Sequence, residues 1–240
     1  MSTALFLAFG LVFVGVGVVS YLLDKKRREV LMQFALSKGW RYEPQDYSLV
    51  FFAEGTPFRQ GDHPKARNVL HGSVEGRDMV AFDYSYETHS SDGKGGRTTT
   101  THHFAVVGMR LPAYFPTLQV TGESVFHKAA QMLGFDDIEL ESDEFNRRFN
   151  VGSPDRKFAC DVLTPRTMQA LLAGPDVDWR IEGPLILSWR SGHLEPLELL
   201  AQIATLNTVL AGVPSFVWKD HGYDPGGDAS SDPTTERPAS

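Results

Sequence analysis

Hydrophobic patterning changes character sharply inside the stretch "VVSYLLDKKRREVLMQ". From residue 3 to 23 there is no charged side chain and a surplus of Leu, Val and Phe, whereas Lys25, Lys26, Arg27 and Arg28 follow in a row. A helix of that apolar length reaches across about 30 Å, the thickness of a bilayer's hydrocarbon core. A cleaved signal peptide is the rival reading, but it carries its cations ahead of a shorter apolar stretch and small residues behind it, the reverse of the order here. The pattern predicts a single transmembrane anchor over residues 1–24, in contact with the lipid bilayer through residues 3–23. A basic collar of Lys25, Lys26, Arg27 and Arg28 is retained on the cytoplasmic side, so the amino terminus is expected outside the inner (plasma) membrane and the remainder in the cytoplasm. Over residues 25–40 the stripe Val30, Leu31, Phe34 and Ala35 predicts a juxtamembrane helix stopped by Gly39.

The next two hundred residues alternate strand and helix signals without an internal repeat. "NVLHGSVEGRDMVAFDYSYET" predicts a hairpin turning at residues 75–78, with Val80, Phe82, Tyr84 and Tyr86 on one face. Residues 88–101 have no hydrophobic period and read as a loop. "HHFAVVGMRLP", apolar on both faces, predicts a central strand, and "TLQVTG" a short separate one. Helices are predicted over "ESVFHKAAQMLG", "SPDRKFACDVL" and "TPRTMQALLAG", the last two opened by Ser153-Pro154 and Thr164-Pro165. Two further short strands, "DWRIEG" and "PLILSWRSG", precede a long amphipathic helix after Pro196. The expected fold is α+β: an antiparallel sheet of about five to seven strands packed by helices on one face, occupying residues 41–221, with a disordered tail over 222–240.

Composition narrows the function. A formal charge of −7 across 240 residues, with cations concentrated only at residues 25–28, excludes nucleic acid as a main partner. The single cysteine, Cys160, excludes an intramolecular disulfide framework and is expected as a small buried hydrophobe.

Candidate chemistry is sparse. His102 and His103 are adjacent, so on a strand they face opposite sides and do not share one ion. No H-x-x-x-H, H-E-x-x-H, C-x-x-C or G-x-S-x-G spacing occurs, "DGKGGRT" lacks the phosphate-loop spacing, and the acidic run over 136–144 lacks that of a calcium loop. No catalytic residue, metal or cofactor is therefore expected. One constellation stands apart: Asp83, Ser85 and Glu87 form a polar row opposite Tyr84 and Tyr86, expected as an exposed sheet face, with a ligand groove lined by a polar face beside aromatics as the alternative.

"FDYSYET" followed by "HHFAVVGMRL", and above all "EFNRRFNVGSPDRKFACDVLTPRTMQALL", resemble an uncharacterised family of bacterial membrane-anchored proteins, over residues 34–218. That resemblance implies one or two membrane helices ahead of the core and transfers no catalytic role. In the second stretch Phe145, Phe149 and Val151 suit an extended segment, with Arg147 and Arg148 pairing to the preceding acids. The expected function is a non-enzymatic interaction or ligand-binding module tethered to the membrane, whose partner is another membrane or cytosolic protein. The alternative is a tethered enzyme with a site assembled from Asp83, Glu87, His102 and His103.

Overall fold

A computed structural model describes residues 3–91, 96–122 and 137–226, with side chains from residue 18 onward except Ser20. The helix expected over "ESVFHKAAQMLG" and the tail beyond residue 226 lie outside the described residues.

Helix α1 (Thr3–Ser37) runs without interruption from the apolar segment through the basic collar. It ends where Gly39 adopts φ +70°, a left-handed conformation that a side chain would strain. Of the predicted stripe, Leu31 and Ala35 are fully buried and Phe34 packs against the same core, whereas Val30 stays exposed. Among the described residues no helix is long and apolar enough to cross a membrane. The side chains of residues 3–17, on which the expected span depends, fall outside that description.

Six antiparallel strands form one sheet. β1 (Arg41–Gln45), β2 (Asp62–Val74), β3 (Arg77–Ser91), β4 (Arg97–Gly122) and β5 (Phe149–Gly152) neighbour one another in that order, and β6 (Asp178–Ser191) pairs with β4. The predicted hairpin is present, closed by Glu75 and Gly76, both at positive φ as a tight two-residue turn demands. β4 is central, bordered by β3 over residues 97–109 and by β6 along much of its other edge.

Two expected boundaries are absent. "TLQVTG" is the end of β4, and "DWRIEG" with "PLILSWRSG" is the single strand β6. Pro112, Pro116 and Pro184 read as breaks, but they fall where the β4–β6 register shifts, between Arg110 and Leu118 on one strand and about Gly183 on the other. There the missing N–H interrupts no ladder bond. Residues 88–91 and 97–101 are likewise strand rather than loop, paired Thr88 with Thr100, His89 with Thr99 and Ser90 with Thr98.

Two cores lie on opposite faces of the sheet. One buries Leu31, Ala105, Val107, Met109, Trp179 and Ile186 beneath the helices. Besides α1 these are α2 (Asp143–Arg148), α3 (Arg156–Val162), α4 (Pro165–Ala173), α5 (Pro196–Gly212) and α6 (Ser215–Asp220). The other core buries Phe82, Tyr84, Tyr86, Val106, Leu187 and Trp189 under a 3₁₀ turn (Tyr47–Phe51) and the segment after it, including Ala53 and Phe58. Helices therefore pack one face, and an irregular segment covers much of the second.

Arg180 fastens that segment. It is fully buried on β6, donates to the carbonyls of Glu54 and Thr56 and to Gln119 Oε1, pairs with Glu182 at 2.7 Å, and lies over the Trp189 ring. A buried charge needs that many partners. Burial pulls its pKa below the usual guanidinium value, opposed by Glu182.

Local differences from the expected pattern have simple causes. α3 is capped by Asp155, whose carboxylate accepts from Phe158 N–H, while Ser153 donates to the Thr117 carbonyl. Phe145 is helical, because Ser142 caps α2 and Asp143 and Glu144 favour its first turn. Arg148 pairs with Asp176 at 2.5 Å and donates to the Leu172 and Gly174 carbonyls at the end of α4, rather than to the preceding acids. Cys160 is exposed, not buried. Thr164 caps α4 with Pro165 in its first turn, as the pattern predicts.

Candidate functional site

β3 alternates, so Phe82, Tyr84 and Tyr86 enter the second core and Asp83, Ser85 and Glu87 face the other way, towards α1. The row is not a uniform surface. Asp83 is 7% exposed, whereas Ser85 and Glu87 are half-buried. Tyr84 packs on Phe58 at 4.7 Å between ring centroids, so the aromatic side is covered, and burial pushes its hydroxyl up to about 12.

Asp83 is a junction between distant parts of the chain. Its carboxylate lies 3.2 Å from an Arg27 guanidinium nitrogen and accepts from Asn68 Nδ2 and from the Leu194 N–H, each at 2.6 Å. Asn68 reaches it from a left-handed backbone conformation, φ +51°, where the β2–β3 register shifts between Arg67 and Leu70. Such a conformation costs a non-glycine residue energy, but Asn tolerates it better than most. The Asn68 side-chain oxygen accepts in turn from Tyr42 on β1, whose hydroxyl pKa burial raises. One carboxylate thus ties together α1, β1, β2, β3 and the turn before α5.

The collar contributes Arg27 to this junction, and Arg27 also reaches Asp24 at 3.8 Å, while Lys25 pairs with Glu29. Because Arg27 meets Asp83 while Trp40 lies against Gly72, which pairs with Met79, α1 runs antiparallel to β3. A Cβ at Gly72 would fall 2.3 Å from the Trp40 ring, so glycine is required for that approach. A cavity of about 330 Å³ opens beside the junction, lined by Leu23, Lys26, Arg27, Leu194 and Pro196 among others.

The residues proposed for an enzyme site are brought together only in part: Asp83, Glu87 and His103 share one face and His102 does not. His103 lies on the Asp83 side, its ring 4.5 Å from His193, which approaches Asp83 at 3.9 Å. Partial burial lowers the His103 pKa, His193 adds to that shift, and Asp83 opposes it. His102 faces the other side, stacked on Tyr86 at 4.8 Å and bonded to Thr88. Glu87 pairs with Lys65 at 3.6 Å, further along β3. Asp83 is surrounded by donors, so its carboxylate acts as a structural acceptor.

A second concavity, of about 600 Å³, lies on the other sheet face where the covering segment ends. Phe52, Val80 and Leu185 supply apolar walls, and His71, Arg110 and Glu182 polar ones. Gly108 forms its floor: a Cβ there would meet the Phe52 ring at 2.4 Å. Sequence reasoning missed this pocket because its residues come from β2, β3, β4, β6 and the covering segment, with no local motif.

No family model matches this chain, and no curated protein matches its sequence. Among solved structures the chain is similar to the crystal structure of the mycobacterial trehalose monomycolate transport factor A, TtfA, with a TM-score of 0.56 and 13% identity, over 78% of this chain and 96% of that one. At that identity the likeness establishes a shared fold alone.

Proposed function

We propose that the chain is a single-pass membrane protein whose cytoplasmic α+β domain is a non-enzymatic interaction or ligand-binding module held at the bilayer surface. The carrying observation is on α1: Val18, Val19, Tyr21, Leu22 and Leu23 are each more than half exposed, directly ahead of the basic collar. A run of exposed apolar side chains on one helix needs a nonaqueous partner, and residues 3–17 continue it without a charge. The collar favours a cytoplasmic domain.

The Arg27–Asp83 junction supports a rigid tether, since α1 enters the domain as one helix and is held by a partly buried ion pair. The second concavity, with apolar walls and a few polar groups, supports small-ligand binding. The placement of His102 on the opposite face, and the donors that already occupy Asp83, favour a binder over an enzyme. The shared fold with a protein named as a trehalose monomycolate transport factor is compatible with a binding role. The test is membrane fractionation of the full chain: retention after alkaline carbonate extraction is expected, and release into the soluble fraction would overturn the reading.

A further inference from the structure

At the far end of the β2–β3 pair, His63 of β2 meets two metal-ligating side chains of β3, Glu87 and His89, that lie more than twenty residues further along the chain. The ligand atoms of His63, Glu87 and His89 all lie within 4.8 Å of one another. His63 Nδ1 is 3.5 Å from Glu87 Oε2, and His89 Nε2 is 3.8 Å from Asp62 Oδ2. We infer that His63, Glu87 and His89 bind a divalent transition-metal ion of the zinc class, with Asp62 or water completing the coordination.

The donor set fits that chemistry. Two imidazoles and a carboxylate suit zinc, at ligand distances of about 2.0–2.2 Å that modest side-chain rotation would reach. His89 is oriented: its Nδ1 is 2.9 Å from Thr99 Oγ1, which leaves Nε2, on the Asp62 side, as its ligand atom. His63 is held by the backbone, at φ +52° within the register shift between Asp62 and Lys65. Gly61 permits the close approach, since a Cβ there would lie 2.3 Å from the Glu87 carbonyl oxygen. Lys65 competes for Glu87 at 3.6 Å and is part-exposed, so its ammonium has solvent to move into.

A second cluster, Glu43, Asp46 and His71, is the weaker candidate. Asp46 Oδ1 already accepts from the Ser48 N–H and hydroxyl as a cap, and only one imidazole is present. It therefore serves as the control.

The full chain, purified untagged in mild detergent and stripped with a chelator, is titrated with Zn²⁺ against a chromophoric competitor, and with Co²⁺ to read the visible bands of four-coordinate cobalt. One equivalent is expected, weakened about tenfold or more by His63→Ala and by His89→Ala, and unchanged by His71→Ala. Thermal melts of the metal-free variants check folding, and Glu87→Gln gives a second variant that keeps side-chain size. Absence of saturable binding, binding unaffected by His63→Ala, His89→Ala and Glu87→Gln, or equal loss in His71→Ala would each overturn the inference.

Discussion

Asp83→Asn is the most informative single change, because it keeps side-chain volume and removes only the charge and one acceptor. In the native protein the carboxylate receives Arg27, Asn68 and the Leu194 N–H. An amide offers one acceptor oxygen, so whichever way it turns, its own N–H₂ faces at least one buried donor. An unsatisfied buried donor costs about 1–3 kcal/mol, and breaking a buried ion pair from one side costs about 3–5 kcal/mol. Arg27 retains some solvent contact, its side chain being 23% exposed, which places the expected loss near the lower end, about 3 kcal/mol. Urea unfolding of the full chain in mild detergent, followed by the fluorescence of Trp40, Trp179, Trp189 and Trp218, measures it. A double-mutant cycle with Arg27→Gln should return a coupling of about 1.5–3 kcal/mol. A coupling below about 0.5 kcal/mol would show that Arg27 does not fasten α1 to the sheet.

Other changes probe the remaining framework. Arg180→Met removes the guanidinium that donates to the Glu54 and Thr56 carbonyls and pairs with Glu182, which keeps only the Glu54 N–H, and should destabilise by about 3–5 kcal/mol in the same assay. Asp178 has its pKa pushed from 3.8 to about 6, mainly by burial, so holding its charge costs stability above pH 6 and that cost fades as pH falls through 6 towards 4. Asp178→Asn, which keeps an oxygen for the Gly122 N–H, should therefore stabilise by about 1–3 kcal/mol at about pH 8 and by less at about pH 5, as urea midpoints at the two values would show. Gly108→Val drives its side chain into the Phe52 ring and should cost about 1–3 kcal/mol in urea unfolding while narrowing the second concavity.

Much of the fold is legible in the sequence where hydrophobic period and turn chemistry agree. The hairpin closed at Glu75-Gly76, the strand through Val106 and Val107, and α4 with its Thr164 cap follow from local pattern. Legibility fails where tertiary pairing overrides local signals. Proline at positions 112, 116 and 184 suggests breaks, but register shifts absorb it within long strands. The arm over 88–91 and 97–101 pairs threonine-rich strands with mostly exposed side chains, so no hydrophobic period marks it. Asp83 is legible as unusual but not as a junction, since Arg27, Asn68 and Leu194 lie 15 or more residues away. His63 and His89 are separated by two strands' worth of chain, and only the β2–β3 pairing brings them together.

The exposed thiol of Cys160, the chain's single cysteine, reports directly on which side of the membrane the domain lies. Sealed vesicles of both orientations carrying the full chain are treated with a membrane-impermeant maleimide. A cytoplasmic domain on a bilayer anchor requires labelling in inside-out vesicles and protection in right-side-out vesicles until detergent is added. Labelling of intact right-side-out vesicles, or recovery of the protein outside the membrane fraction, would contradict it.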